Sequence, residues 1–213
     1  MSEPPADALL ARALAAAESY PAYRQHLRDL LAEGRTTGTN QSPAYVAFAE
    51  LNEARMDRLD RRSRLTDEFR ELLSGLQRDY LLLVLSEGWC GDAAQTVPVM
   101  NWMAEASPRV ELRVALRDEH LELMDGYLTD GGQSIPKLLF LAADTREVLA
   151  DWGPRPLVAQ AMMRRYKRLP EAQRDYEAFQ RELHGWYARD KTRSTQGELA
   201  AMFGWVERGL EDR

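Results

Sequence analysis

The chain has a single cysteine, Cys90, in the segment SEGWCGDAAQTVPVM. An apolar run, Leu81 to Leu85, precedes it and a helix-forming stretch follows. The sulfur is therefore expected just past the C-terminal end of a strand, facing the first unpaired amides of a helix. A helix N-terminus can lower a thiol from about 8.5 into a range of roughly 3.5 to 7.5, whereas burial in hydrocarbon raises it and leaves it inert. A lone cysteine is most often only a small apolar side chain, but this position favours reactivity. Asp92 is a candidate helix cap; at about 6 Å and an effective dielectric near 40 its charge opposes a thiolate by about 1 kcal/mol. The expected thiol is moderately acidic.

Other charged residues are weighed against that sulfur. Arg155, in the segment WGPRP, is placed to offset Asp92 or to hold an anionic group of a substrate, the alternative being an ordinary surface ion pair. Arg117 and Asp118 sit at the end of an expected strand, where open α/β sheets bind ligands, although such a pair more often caps the next helix. His120 reads as structural, and the cations of Arg164 to Arg168 as a solvated helix end. His26, His120 and His184 show no ligand spacing, and one cysteine can build neither a zinc site nor an internal disulfide. No metal and no cofactor is expected.

The elements that must position these residues follow from periodicity. Apolar residues recur at helical spacing from residue 7 to about residue 78, interrupted by EGRTTGTNQSP. Helices are expected from Pro21 to Gly34, from Pro43, with Val46, Phe48, Leu51, Met56 and Leu59 as its apolar positions, and after Thr66. A buried strand over LLLVL follows, then a helix from Asp92 to Ala106, a strand from Val110 to Leu116 and a helix from Glu119 to Leu128. KLLFLA and EVLADW form an expected antiparallel hairpin across the Asp144-Thr145-Arg146 turn, before a helix ending at Arg168. Residues 171–213 return to helix, with a Tyr176, Phe179, Leu183, Trp186 stripe and a capping box of Thr195 with Glu198. Both helical ends are expected to pack on the sheet or on a second subunit. Alternation of this kind means α/β.

Size and charge bound the function. The chain has 213 residues, enough for one large domain, and 45% hydrophobic with 29% charged residues is ordinary for a folded protein. A net charge of −6 argues against nucleic acid as a partner. The apolar runs fall far short of the roughly 20 residues of a membrane helix, and the N-terminus opens acidic with Arg12 inside its apolar stretch, unlike a signal peptide. A cytoplasmic location is the expectation.

The segment around Cys90 resembles the active site of the thioredoxin superfamily, in which a tryptophan and a nucleophilic cysteine lead through a short turn into a helix kinked by proline. Trp89 and Cys90 match the start of that motif, Pro98 the kink eight residues on, and Ile135-Pro136 the cis-proline 46 residues after the cysteine. Gly153 matches the glycine beside the same groove. GWCGDAAQ, SIPK and WGPRP are similar to a subgroup of bacterial thioredoxin-like proteins carrying extra helices. The resemblance implies a thioredoxin-like α/β fold with a central four-stranded mixed sheet flanked by helices. It divides the chain into a helical N-terminal extension (residues 1–64), a thioredoxin-like module (65–168) whose usual first strand is replaced by helix, and a helical C-terminal extension (169–213). It also implies a shallow groove formed by Trp89, Gly91, Asp92, Ile135, Pro136, Gly153 and Arg155.

Two departures narrow the chemistry. Ala93 stands where the second cysteine of CxxC would be, and Val84 where thioredoxins keep a buried acid. A mixed disulfide at Cys90 then has no resolving thiol within the chain. The expected function is a monothiol site at Cys90 that exchanges with a protein or low-molecular-weight thiol or disulfide and is released by an external thiol. The alternative is a binding or scaffolding protein that keeps the groove without turnover.

Overall fold

The computed structural model describes residues 5–62 and 64–211; residues 1–4, which carry the acidic start discussed above, and residues 63 and 212–213 lie outside the described residues. Four helices come first: α1 (Ala6–Ala16), α2 (Tyr20–Ala32), α3 (Pro43–Asp60) and α4 (Asp67–Ser74). Their starts are set by local chemistry. The Ser19 hydroxyl accepts from the Ala22 amide at α2 and the Thr66 hydroxyl from the Phe69 amide at α4. Gly34, with φ +70°, ends the second helix region.

The sheet begins with β1 (Tyr80–Ser86), followed by α5 (Ala93–Ala106), β2 (Val110–Leu116), the one-turn α6 (Leu121–Met124), β3 (Lys137–Ala142) and β4 (Val148–Trp152). After it come α7 (Leu157–Arg168), α8 (Tyr176–Asp190) and α9 (Arg193–Glu211). Strand order is β2-β1-β3-β4, with β1 and β2 parallel and the β1/β3 and β3/β4 pairs antiparallel. Every residue of β1 is buried, as its unbroken apolar run requires of a central strand. The outer edge of β2 is met by the link between α1 and α2: Glu18 exchanges two 2.8 Å backbone hydrogen bonds with Val114. That single bridge stands where a fifth strand could add, and it blocks the edge. This is the α/β arrangement with helical extensions that the element order implied.

The C-terminal helix α9 is part of the main core, whereas α8 packs with α7 in a cluster of its own. Phe203 of α9 packs its ring against those of Phe69, Tyr80 and Phe140, at 4.6 to 6.2 Å between centroids, and is 0% exposed. Polar contacts fix the helix in register. The Tyr80 hydroxyl donates to Glu207 at 2.6 Å, and Glu198 accepts from Trp152 Nε1 at 2.8 Å and from the Leu157 amide at 2.7 Å.

Several local expectations need correction. Glu198 is committed to β4 and α7, so no capping box forms with Thr195, which lies inside α9; Asp190 accepts from the Ser194 amide and hydroxyl instead. The expected helix from Glu119 to Leu128 is broken into a 3-10 turn, α6 and a second 3-10 turn. Glu87 takes the Asp118 amide and the Gln133 carbonyl takes the Arg117 guanidinium, which hold the chain in a turn where the helix was to begin. In α3 the inward face is Ala49, Asn52 and Met56, while Phe48 and Leu51 are exposed. In α8 it is Phe179, Leu183 and Tyr187, spaced by four, which bury; Tyr176 is 51% exposed.

Candidate functional site

Cys90 sits in the turn between β1 and α5, its amide donating to the Glu87 carbonyl at 3.0 Å and its carbonyl accepting from the Ala94 amide at 3.1 Å. The sulfur is hydrogen-bonded on both sides. Sγ accepts from the Ala93 amide at 3.4 Å and donates to the Ile135 carbonyl at 3.2 Å, across from β3. The Ile135-Pro136 and Gly153-Pro154 peptides are cis. Gly153, at φ +118°, lies so close to Pro136 that an added Cβ would meet its carbonyl oxygen at 2.2 Å, so only glycine fits this crossing.

The electrostatics differ from the expected moderately acidic thiol. Cys90 is 8% exposed, and burial first, with the Asp92 charge second, pushes the thiol up to about 12; the Ala93 amide and Arg155 oppose the shift. Asp92 does not cap α5. Its Oδ2 accepts from Arg155 Nε at 2.9 Å and NH2 at 2.5 Å, and its Oδ1 accepts from the Tyr187 hydroxyl at 2.7 Å. Arg155 gives its remaining edge to Gln160 Oε1 at 2.9 Å. This ion pair is largely buried, so most of the Arg155 hydrogen-bonding capacity is committed to Asp92 and Gln160.

The space above the sulfur is a cavity of about 500 Å³ rather than a shallow groove, within the range of small-molecule sites. Trp89, Cys90, Gly91, Asp92, Ile135 and Arg155 line it, whereas Pro136 and Gly153 do not. Its walls come from both extensions. Tyr45, Phe48, Asn52 and Arg55, on one face of α3, close one side; Tyr176, Gln180, Leu183 and His184, on one face of α8, close the other. Tyr45 packs on the Trp89 ring at 5.1 Å, and the Arg117 guanidinium lies over the same ring at 5.3 Å. A Cβ on Gly91 would sit 3.0 Å from His184 Cε1 and Nε2 and 3.5 Å from Arg55 NH1, so glycine here lets α8 approach the cysteine turn.

The remaining charged candidates resolve as follows. Arg117 lines the cavity and pairs with Asp118 at 2.7 Å; Asp118 in turn accepts from the Thr39 amide at 2.8 Å. His120 is buried and is not among the residues lining the cavity; neither ring nitrogen has a hydrogen-bond partner among the described residues, and burial lowers its pKa. Arg164 pairs with Asp130 and Arg165 with Glu182. Burial first and Arg55 second push His184 down to about 4, so its ring is neutral at pH 7. Among the described residues no group of acidic, histidine or cysteine side chains could hold a metal ion, and no helix is long and apolar enough to cross a membrane.

A family model described as thioredoxin matches residues 39–169. The chain belongs to the thioredoxin family. Cys90, in the turn before α5, is followed by a buried Ala93 where a second cysteine would stand. No curated protein matches the sequence. Among solved structures, a protein of unknown function from Pseudomonas aeruginosa aligns at 18% identity with a TM-score of 0.56, over 89% of this chain and 99% of that one. An HIV epitope scaffold aligns at 18% identity with a TM-score of 0.53, over 88% of this chain and 98% of that one. Both share the fold of this thioredoxin.

The wall residues escaped the sequence reading. Tyr45, Phe48, Asn52 and Arg55 fall at i, i+3, i+7 and i+10, and Tyr176, Gln180, Leu183 and His184 at i, i+4, i+7 and i+8. The spacing marks one face of each helix, but not what that face meets.

Proposed function

We propose that the protein is a monothiol thioredoxin that works on a low-molecular-weight thiol or disulfide in the cavity over Cys90. The observation that carries this reading is the walling of the sulfur by α3 and α8, which leaves a volume suited to a small molecule. Cys90 loses its proton and its Sγ bonds to one sulfur of the disulfide; the S–S bond breaks and the other half leaves as a thiolate that takes up a proton. With Ala93 in place of a resolving cysteine, an external low-molecular-weight thiol then attacks the mixed disulfide and restores the Cys90 thiol.

Binding without turnover is supported by a different observation, the protonated state of the resting thiol. With its pKa pushed up to about 12, the thiolate is about one part in 10⁵ at pH 7. The two readings separate in one experiment. Incubation of the reduced protein with bis(hydroxyethyl) disulfide at pH 7, followed by intact mass, is expected to show one adduct on Cys90 that free mercaptoethanol removes. If no adduct accumulates over hours while a Cys90→Ser variant binds small thiols as well as the natural chain does, exchange is wrong and binding stands.

A further inference from the structure

The charges around the cavity do not balance. Three arginines and one carboxylate line it, although the chain as a whole carries a net charge of −6. Arg155 is matched by Asp92 and Arg117 by Asp118. Arg55 has no carboxylate partner among the described residues: NH1 donates to Asn52 Oδ1 at 2.8 Å, and its Nε and NH2 edge has no hydrogen-bond partner. Arg55 is half-buried and its guanidinium reaches over Gly91, where NH1 stands 3.5 Å from the position a Cβ would take, one residue along the chain from Cys90. A guanidinium edge with two parallel N–H groups matches a carboxylate in a bidentate pair. Beside it the lining is aromatic, and two of its rings are open to solvent: Phe48 is 43% and Tyr176 51% exposed.

We infer that the ligand of this cavity carries a carboxylate, seated on Arg55 above Gly91, with its apolar part against Trp89, Tyr45 and Phe48. The inference rests on the reading that the cavity over Cys90 is the working site, and it adds the class of molecule the site selects. Arg55 and Cys90 line the same cavity, so the carboxylate end would fix the ligand while its other end reaches Sγ. Burial first and the neighbouring Arg58 second disfavour the Arg55 charge, Asp92 only partly offsets them, and an incoming anion would offset them further. A single unmatched positive charge suits one carboxylate rather than a phosphate dianion.

The test compares two disulfides, dithiodipropionate and neutral bis(hydroxyethyl) disulfide, by their rates of adduct formation at Cys90, each divided by the rate with free N-acetylcysteine. The natural chain is expected to prefer dithiodipropionate by at least about tenfold, the size of one charge-assisted hydrogen-bonded pair. Arg55→Gln is expected to bring that preference within about twofold and Arg55→Lys to retain part of it, with circular dichroism melts showing that each variant folds. A preference absent from the natural chain, or unchanged in Arg55→Gln, overturns the inference. Should neither disulfide react, the exchange reading fails by itself, and calorimetry of dithiodipropionate on Cys90→Ser decides the carboxylate site. Binding weakened about tenfold by adding Arg55→Gln supports the site; no binding, or binding indifferent to Arg55, overturns it.

Discussion

A thiol that accepts from one amide and donates to one carbonyl has its polar needs met inside the protein, and ionisation would break the Sγ to Ile135 bond while adding a charge beside Asp92. Replacing Asp92 by Asn removes that charge and leaves Arg155 beside the sulfur. Alkylation of Cys90 by iodoacetamide at pH 7 is then expected to quicken about five- to tenfold, the effect of roughly 1 kcal/mol of charge interaction, and its pH profile to move down. The variant also loses about 3 kcal/mol of stability, because a buried Arg155 is left without its anion. An unchanged alkylation profile in a folded Asp92→Asn protein would show that Asp92 does not hold the thiol protonated.

Glu87, three residues before the cysteine, gives a second pH effect at the same scale. It is 0% exposed; its Oε1 accepts from the Asp118 amide at 2.9 Å, and the Thr37 hydroxyl beside it also opposes the effect of burial. Burial, with the Asp118 charge adding to it, pushes its pKa up to about 7. The folded chain therefore holds a proton that the unfolded chain releases above its ordinary carboxylate pKa, so stability is full below about 4.5 and is lost as pH rises towards 7. The loss amounts to about 3 kcal/mol. Urea melts between pH 5 and pH 8 are expected to show this decline in the natural chain and to be nearly flat in Glu87→Gln; equal slopes in the two proteins would exclude Glu87 as its source.

At the scale of elements, the cavity depends on how α8 is seated: its Phe179, Leu183 and Tyr187 pack with Ala159 of α7, and the short link at Lys191 and Thr192 joins it to α9. Truncating Phe203 to Ala removes a ring enclosed by Phe69, Tyr80 and Phe140 and should cost about 3 to 5 kcal/mol. If α9 anchors the wall, the same variant also exposes Cys90, and its alkylation quickens while the protein is still folded. A destabilised Phe203→Ala protein whose Cys90 is no more reactive would detach α9 from the site.

These elements differ in how readable they were. β1, β2, β3 and α5 follow from apolar runs and helix periods that the structure keeps almost to the residue, because both signals are local. The run from Glu119 to Leu128 was misread because side chains of Glu87 and backbone of Gln133, distant in sequence, fix its start. The same reason hid the walls. Helical period places Arg55 and His184 on a face, but their meeting over Gly91 is set by tertiary packing between segments 36 residues before and 93 residues after that glycine. Arg155 was found from its place beside Gly153, yet its commitment to Asp92 and Gln160 appears only in three dimensions.

For the molecule as a whole, α3 and α8 flank the cavity over Cys90. On the proposed reading, the arginines that line it select the charge of what enters, and the helices on either side select its size. Size exclusion at Cys90 is the claim on which the functional reading stands. It is tested most directly by exposing the reduced protein, in parallel, to bis(hydroxyethyl) disulfide and to insulin, a disulfide-bonded protein, and measuring adducts at Cys90 by intact mass. The account predicts an adduct with the small disulfide and none with insulin; an insulin adduct formed as fast as the small one would contradict it.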